Sequence, residues 1–183
     1  AAGMGGILPD AHARAAHGTS RKTRSSPSRA GSISLPRRTS VDHPARMPAP
    51  TAAPTLTDGV VTLRAHTGAD LDRIVEQCVD PVSIAWTTVP VPYDRAMAEE
   101  FALQVLPGGW ADGSEWAFAV EVEGRYAGTV SLRDEGPGRA EIAYGSHPDV
   151  RGTGAILRAL RLLVDWGFEE LGLQTIVWRA FTG

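Results

Sequence analysis

The sequence predicts an α+β fold in which helices flank a mostly antiparallel sheet. Three strand-like segments, "EWAFAVEVEG", "RYAGTVSLRD" and "RAEIAYGSH" (115–147), follow one another with no helix between them. Two segments with apolar residues at helical spacing precede them, and a long apolar helix and one more strand come after. Because consecutive strands usually pair, and helices outside such a run cover its sheet, this order favours an α+β arrangement.

The elements of the first half are predicted from turn residues and apolar spacing. A strand is expected over 59–66 after an Asp-Gly turn, and a helix over 70–79. Two prolines within 86–94 exclude regular structure there. A second helix is expected over 94–106, and the "PGGWADG" segment at 107–113 is expected to break it.

The second half has clearer boundaries. The first two of the three consecutive strands are expected to turn at Glu123 and Gly124. The segment 153–171 has the most regular apolar stripe of the chain, and Gly172 suits the left-handed conformation that commonly ends a helix. A last strand is expected over 173–181.

The N-terminal segment differs from the rest in composition and charge. Residues 1–55 are rich in Ala, Arg, Ser, Pro and Gly without an apolar period, which predicts a disordered tail. Residues 1–46 carry eight Arg or Lys and two Asp, which leaves ten basic and nineteen acidic residues elsewhere. Since binding to a phosphate backbone needs clustered Lys and Arg, no nucleic acid is expected on the domain. A nucleic-acid-binding tail stays an alternative.

Other bulk features restrict the class of protein. No apolar run approaches the roughly 20 residues that span a bilayer, so no membrane partner and a cytoplasmic location are expected. The single cysteine, Cys78, lies among apolar positions of a helix, which favours buried packing over nucleophilic chemistry. No metal site is predicted.

The stretch "VRGTGAILRAL" at 150–160 places an arginine and two glycines at the entry of the longest predicted helix. The first amides of a helix have no partner within it and lie at the positive end of its dipole. Gly152 and Gly154 would let an anion approach the backbone closely, and Arg151 adds a charge. Taken alone, the pattern fits an anion-binding loop and an ordinary helix entry equally well. A Rossmann fingerprint fits less well, because Leu157 occupies the third glycine position.

With its surroundings, this stretch resembles the GNAT superfamily of acyl-CoA-dependent N-acetyltransferases, and within it the RimJ/RimL-like branch. The segments "AEIAYGSHPDVRG" (140–152) and "TIVWRAFTG" (175–183) resemble that branch's fourth strand with its loop and its fifth strand. The resemblance covers residues 56–183, and Ile156 departs from the final Gly or Ala of the signature. The positions of the signature Q/R-x-x-G-x-G/A are occupied by Arg151, Gly152, Thr153, Gly154, Ala155 and Ile156.

The resemblance implies acetyl-CoA as co-substrate, with its pyrophosphate on the amides of 152–156. Its pantetheine arm would lie between the fourth and fifth predicted strands, held by main-chain groups near Ser146, His147 and Val150. The side chain of His147 is interpreted as a strand-end residue rather than a catalytic imidazole.

The resemblance also implies direct transfer of the acetyl group to a primary amine, of a protein N-terminus or a small molecule. Glu141 is the candidate general base, with a plain ion pair on the sheet as the alternative. Trp86 and Tyr93 lie in the loop that walls the acceptor site in this family, and they could equally cover the core. A homodimer is one possible assembly.

The sequence ends at Gly183, before the helix that carries the general acid in this family. A GNAT domain lacking its last helix and strands is therefore expected, and such a piece can be inactive. The alternative function is a non-catalytic remnant that binds acyl-CoA or a partner.

Overall fold

A computed structural model describes residues 50–179; most of the tail predicted at 1–55 and the end of the strand predicted at 173–181 lie outside them. The chain forms one six-stranded sheet in which the order of the strands in space is their order in the chain. Every neighbouring pair is antiparallel except the last, which is parallel. The α+β fold predicted from the sequence is confirmed.

Five of the six strands lie within segments that the sequence predicts, and the short strand Leu56–Thr57 was not expected. Glu123 and Gly124 have φ angles of 51° and 74°, as a two-residue type I′ hairpin requires. The strands are β1 (Leu56–Thr57), β2 (Val61–Arg64), β3 (Glu115–Val122), β4 (Arg125–Asp134), β5 (Arg139–Ser146) and β6 (Thr175–Trp178).

Five α-helices accompany the sheet within residues 50–179. The helices are α1 (Leu71–Val79), α2 (Pro81–Trp86), α3 (Arg95–Glu100), α4 (Leu106–Asp112) and α5 (Ala155–Glu169). A short 3₁₀ turn, Gly68–Asp70, precedes α1, and another, Pro148–Val150, precedes the loop before α5. A π-helical segment, Phe101–Val105, joins α3 to α4. Within the described part of the chain, no helix is both long and apolar enough to cross a membrane.

Two helical segments differ from the prediction. The short helix α2 was not expected; Asp80 caps it by accepting hydrogen bonds from the amides of Val82 and Ser83. The predicted break at 107–113 is wrong, because the helix continues to Asp112. Leu106 and Trp110, 2% and 4% exposed, pack into the core and outweigh the low helix propensity of the glycines between them.

The two faces of the sheet are covered by different helices. The helix α5 packs Ala159 and Leu163 on the face that carries Phe118 and Leu132. On the opposite face, α1 and α3 form a second cluster that includes Ile74 and Ala98, packed on the sheet residues Ala119 and Tyr126. Within the segment predicted as a tail, Ala53 packs against the first cluster, so packing extends to residues before position 56.

The parallel pair covers only half of β5. Pairing with β6 ends at Ile142 and Trp178, while β5 continues to Ser146. Among residues 50–179, no strand lies beside 143–146 on that edge. The free half of β5 thus runs directly into the loop that opens α5.

Candidate functional site

The loop between β5 and α5 has the backbone conformation that its glycines permit. Gly152 and Gly154 have φ angles of 79° and 84°, and Gly154 is the N-cap of α5. A Cβ atom at either position would meet nothing within 4 Å, so the space above this glycine loop (residues 151–155) is open. A bulkier residue would be strained and would fill that space.

Some amides at the glycine loop donate hydrogen bonds within the protein, and others have no protein acceptor. The amide of Thr153 donates to the carbonyl of Val150, and that of Ala155 to Oγ1 of Thr153. Within residues 50–179, the amides of Gly152, Gly154 and Ile156 donate to no protein acceptor. Three available amides at the N-terminus of a 15-residue helix fit a phosphate or pyrophosphate.

Arg151 does not extend into the open space above the loop. Its Nη1 lies 2.6 Å from Oδ1 of Asp80, and its Nη2 donates to Oγ of Ser83 at 3.0 Å and to the carbonyl of Ser146 at 3.4 Å. Burial raises the pKa of Asp80, but hydrogen bonds from Arg151 and from the Ser83 amide outweigh it and hold that pKa below its ordinary value. The arginine predicted to bind phosphate is therefore paired with a carboxylate.

The three main-chain groups predicted to hold a ligand arm differ in availability. The amide of His147 donates to the carbonyl of Ala127, and that of Val150 to the carbonyl of His147. Residues alternate in an antiparallel ladder, so the amide of Ser146 points away from β4, towards the free edge. Of the three, only Ser146 presents an available main-chain donor there.

The imidazole of His147 is 3% exposed and belongs to a polar cluster. Its Nδ1 accepts hydrogen bonds from Arg73 Nη2 at 3.0 Å and from the amide of Asp149 at 3.3 Å. The remaining ring nitrogen, Nε2, lies 3.1 Å from Oε2 of Glu76 and donates to it. These contacts fit the expected strand-end role, because both ring nitrogens are committed within the protein.

A cleft opens between α1, α2 and the free edge of β5; it is the α2 cleft below. Its empty volume is about 420 Å³, part of it open to solvent. Of the two aromatic residues predicted to wall an acceptor site, Trp86 lines this cleft and Tyr93 does not. The lining residues are Gln77, Cys78, Val82, Ser83, Trp86, Thr87, Val89, Tyr144, Gly145, Ser146 and Arg151.

The polar groups of the α2 cleft are mainly neutral. No Asp or Glu is among its described lining residues. Gln77, which sequence reasoning missed, is 2% exposed, and its Oε1 accepts a hydrogen bond from the phenol of Tyr126 at 3.2 Å. No acceptor contacts its Nε2 within residues 50–179, so this amide group is a donor available to the cleft. On the sequence, Gln77 is only one polar position of an amphipathic helix, and nothing marks it as functional.

Cys78 and Tyr93 are packing residues. Cys78 is 2% exposed, which confirms the expected burial, and this burial raises the pKa of its thiol to about 12. Burial also raises the pKa of Tyr93, which packs against the cluster around Ile74. Tyr93 therefore has the core-covering role that the sequence left open for it.

Glu141 lies away from the α2 cleft. Its Oε2 is 2.8 Å from Nη1 of Arg179, which also contacts Glu135. Glu141 and Gly145 face the same side of β5, but they lie four positions apart along the strand, about 13 Å. The structure does not bring Glu141 together with the residues that line the α2 cleft. Glu141 pairs with Arg179 rather than with Arg139.

Known proteins provide an independent comparison. A family model described as an acetyltransferase (GNAT) domain matches residues 61–183. A search of curated proteins finds no match.

Solved structures give the same fold. An acetyltransferase from Agrobacterium tumefaciens is 24% identical with a TM-score of 0.55, over 72% of this chain and 77% of that one. The microcin C7 self-immunity acetyltransferase MccE, in complex with acetyl-CoA and AMP, is 15% identical with a TM-score of 0.60, over 68% and 72%. The ribosomal L7/L12 α-N-protein acetyltransferase RimL is 14% identical with a TM-score of 0.58, over 67% and 68%.

Proposed function

Because the chain belongs to the GNAT acetyltransferase family, whose members use acetyl-CoA, we propose that it acetylates the α-amine of a peptide-like acceptor. Acetyl-CoA supplies the acetyl group, activated as a thioester. The residues of this chain bind the two substrates, exclude alternative acceptors and move one proton. The acceptor class is the new element of the proposal.

The observation that carries the acceptor class is the lack of a carboxylate in the α2 cleft. A lysine side chain, with a pKa near 10.4, needs a nearby base to become neutral, whereas an α-amine, at about 7.7–8.0, does not. Polycationic amines would also lack a counter-charge in this cleft. A neutral α-amine beside a peptide carbonyl fits it, because Nε2 of Gln77 can donate to that oxygen.

The cofactor side of the proposal rests on the glycine loop. The available amides of Gly152, Gly154 and Ile156 would bind the pyrophosphate, and the amide of Ser146 would bind the pantetheine arm along the free edge of β5. The amides of Thr153 and Ala155 donate within the loop, so these residues would shape it without binding the phosphate. RimL, named as an α-N-protein acetyltransferase, and MccE with its bound acetyl-CoA support this arrangement by their shared fold.

We propose two routes for the proton of the acceptor amine. Part of an α-amine population is neutral near pH 8 and reacts after losing its proton to solvent. Below that pH, Glu141 would take the proton through water molecules along β5, because it is a carboxylate on the same sheet face as Gly145. General-base assistance of this kind is typically worth about 10²–10⁴ in rate.

An acceptor panel tests the proposal directly. Release of the CoA thiol should be measured with a tripeptide, with the same tripeptide acetylated at its N-terminus and carrying a lysine, and with a polyamine. We expect turnover with the free N-terminus alone. Turnover of the polyamine but not of the tripeptide would contradict the acceptor class.

A non-catalytic acyl-CoA-binding remnant is the second function. Its support is the separation of Glu141 from the cleft and its ion pair with Arg179. Calorimetric binding of CoA without turnover of any acceptor would establish it. An acceptor on a ribosomal protein would require a cytoplasmic enzyme, and size-exclusion chromatography would test the expected homodimer.

A further inference from the structure

Arg151 joins the glycine loop to α2 through two contacts and to the end of β5 through a third. Its guanidinium is bound by a carboxylate oxygen of Asp80, the hydroxyl of Ser83 and the carbonyl of Ser146. The side chains of Arg151 and Asp80 are 19% and 17% exposed, so this ion pair is shielded from solvent more than a surface pair. Its Nε is buried, so this nitrogen does not face the open space above the glycine loop.

The helix α2 depends on this contact because little else anchors it. None of its six residues is buried, and Val82, Ile84 and Trp86 are 46%, 40% and 45% exposed. A helix this short is not stable by itself in water. Its N-cap, Asp80, is held by Arg151 while it accepts from the first amides of α2.

The same contact makes Arg151 a poor phosphate ligand. To reach a phosphate, its guanidinium would have to leave Asp80, and an unpaired, largely buried carboxylate would remain. With Asp80 paired, the two side chains together carry no net charge towards an anion. The phosphate site is then formed by backbone amides alone.

We infer that Arg151 is a positioning residue for the acceptor: it holds α2, and with it Ser83 and Trp86, as the wall of the α2 cleft. This inference rests on the proposed function for the identity of the cleft. It assigns the arginine of the signature to acceptor binding and leaves pyrophosphate binding to the amides.

Two substitutions should have the same effect if the inference is correct. Arg151→Gln removes the guanidinium, and Asp80→Asn removes the charge but keeps a good N-cap residue. Each should raise the KM of the acceptor about tenfold and change the CoA dissociation constant less than twofold. Arg158→Gln is the matched control, since it breaks the ion pair of an arginine in the first turn of α5 with Asp58, away from α2.

Hydrogen exchange of the ligand-free chain separates this inference from the proposed function. Amides of 82–88 should exchange at least fivefold faster in both variants than in the wild-type chain and in Arg158→Gln. If the wild-type chain binds no CoA, the proposed function fails, but the exchange result still decides whether Arg151 holds α2. The inference is overturned if exchange is unchanged in both variants, or if Arg151→Gln weakens CoA binding tenfold while Asp80→Asn does not.

Discussion

The phenol of Tyr126 donates a hydrogen bond to Oε1 of Gln77 across the buried interface between β4 and α1, at 3.2 Å. The same phenol lies 3.0 Å from Oγ1 of Thr129, which lies 2.9 Å from Nε2 of His66. This chain of contacts fixes the carboxamide of Gln77, so that its amide group rather than its oxygen is presented to the α2 cleft.

Replacing Gln77 should therefore change the selection of the acceptor. Gln77→Met keeps the length of the side chain but removes the donor, and one hydrogen bond contributes about 0.5–1.5 kcal/mol. We expect the KM of a tripeptide to rise about three- to tenfold, and that of a weakly basic amine without a carbonyl, such as a fluoroalkylamine, to stay constant. Tyr126→Phe should give a weaker effect in the same direction. Equal effects on both acceptors would exclude a contact between Gln77 and the carbonyl.

If the glycine loop binds the phosphates of CoA, alanine substitutions at the two ends of α5 should differ in their effect on CoA affinity. Gly154 and Gly172 lie at opposite ends of α5 with φ angles of 84° and 62°, and a Cβ at either would meet no neighbour. Each alanine should cost about 1–2 kcal/mol of stability, because both need the left-handed conformation. Only Gly154→Ala should weaken CoA binding, by about tenfold, which calorimetry measures. Unchanged binding would show that the loop holds no phosphate.

The proposed role of Glu141 predicts a dependence on pH. In Glu141→Gln, turnover should fall about tenfold or more at pH 6.5, where the acceptor amine is mostly protonated, and little at pH 9, where it is neutral. The affinity for CoA should not change. Glu135→Gln is the control, because it removes another partner of Arg179. A loss that is the same at every pH would assign Glu141 a structural role.

His66 predicts a loss of stability at mildly acidic pH. Burial lowers its pKa to about 4, and the charge of Arg64 acts in the same direction, against Asp70. Since the unfolded value is about 6.5, protons bind preferentially to the unfolded chain. The contribution of His66 to the free energy of unfolding is therefore complete above about pH 6.5 and declines as the pH falls towards 4.

Urea unfolding at pH 7 and pH 5 measures this effect. His66 should account for up to about 2 kcal/mol of the difference, from its pKa shift. His66→Gln should show a correspondingly smaller difference between the two pH values, because other titrating groups act equally in both chains. An identical pH dependence of the two chains would mean that His66 titrates normally when folded.

Local patterns predicted much of the fold. The hairpin at Glu123 and Gly124, the three consecutive strands and the apolar stripe of α5 depend on residues close in sequence. The glycine loop could be placed for the same reason, since a strand, two glycines and a helix follow directly. The helix through Pro107 to Asp112 could not be, because burial of Leu106 and Trp110 decides it.

The sequence by itself determined the class of fold, the family and the position of the glycine loop that we propose to bind a phosphate. Only the tertiary structure decided what the side chains around that loop do. Arg151 meets Asp80 across 71 positions of sequence, Tyr126 orients Gln77 across 49, and Glu141 is left outside the cleft. A local pattern fixes where a backbone donor lies, but the direction of a long side chain depends on the partner that the fold brings within reach.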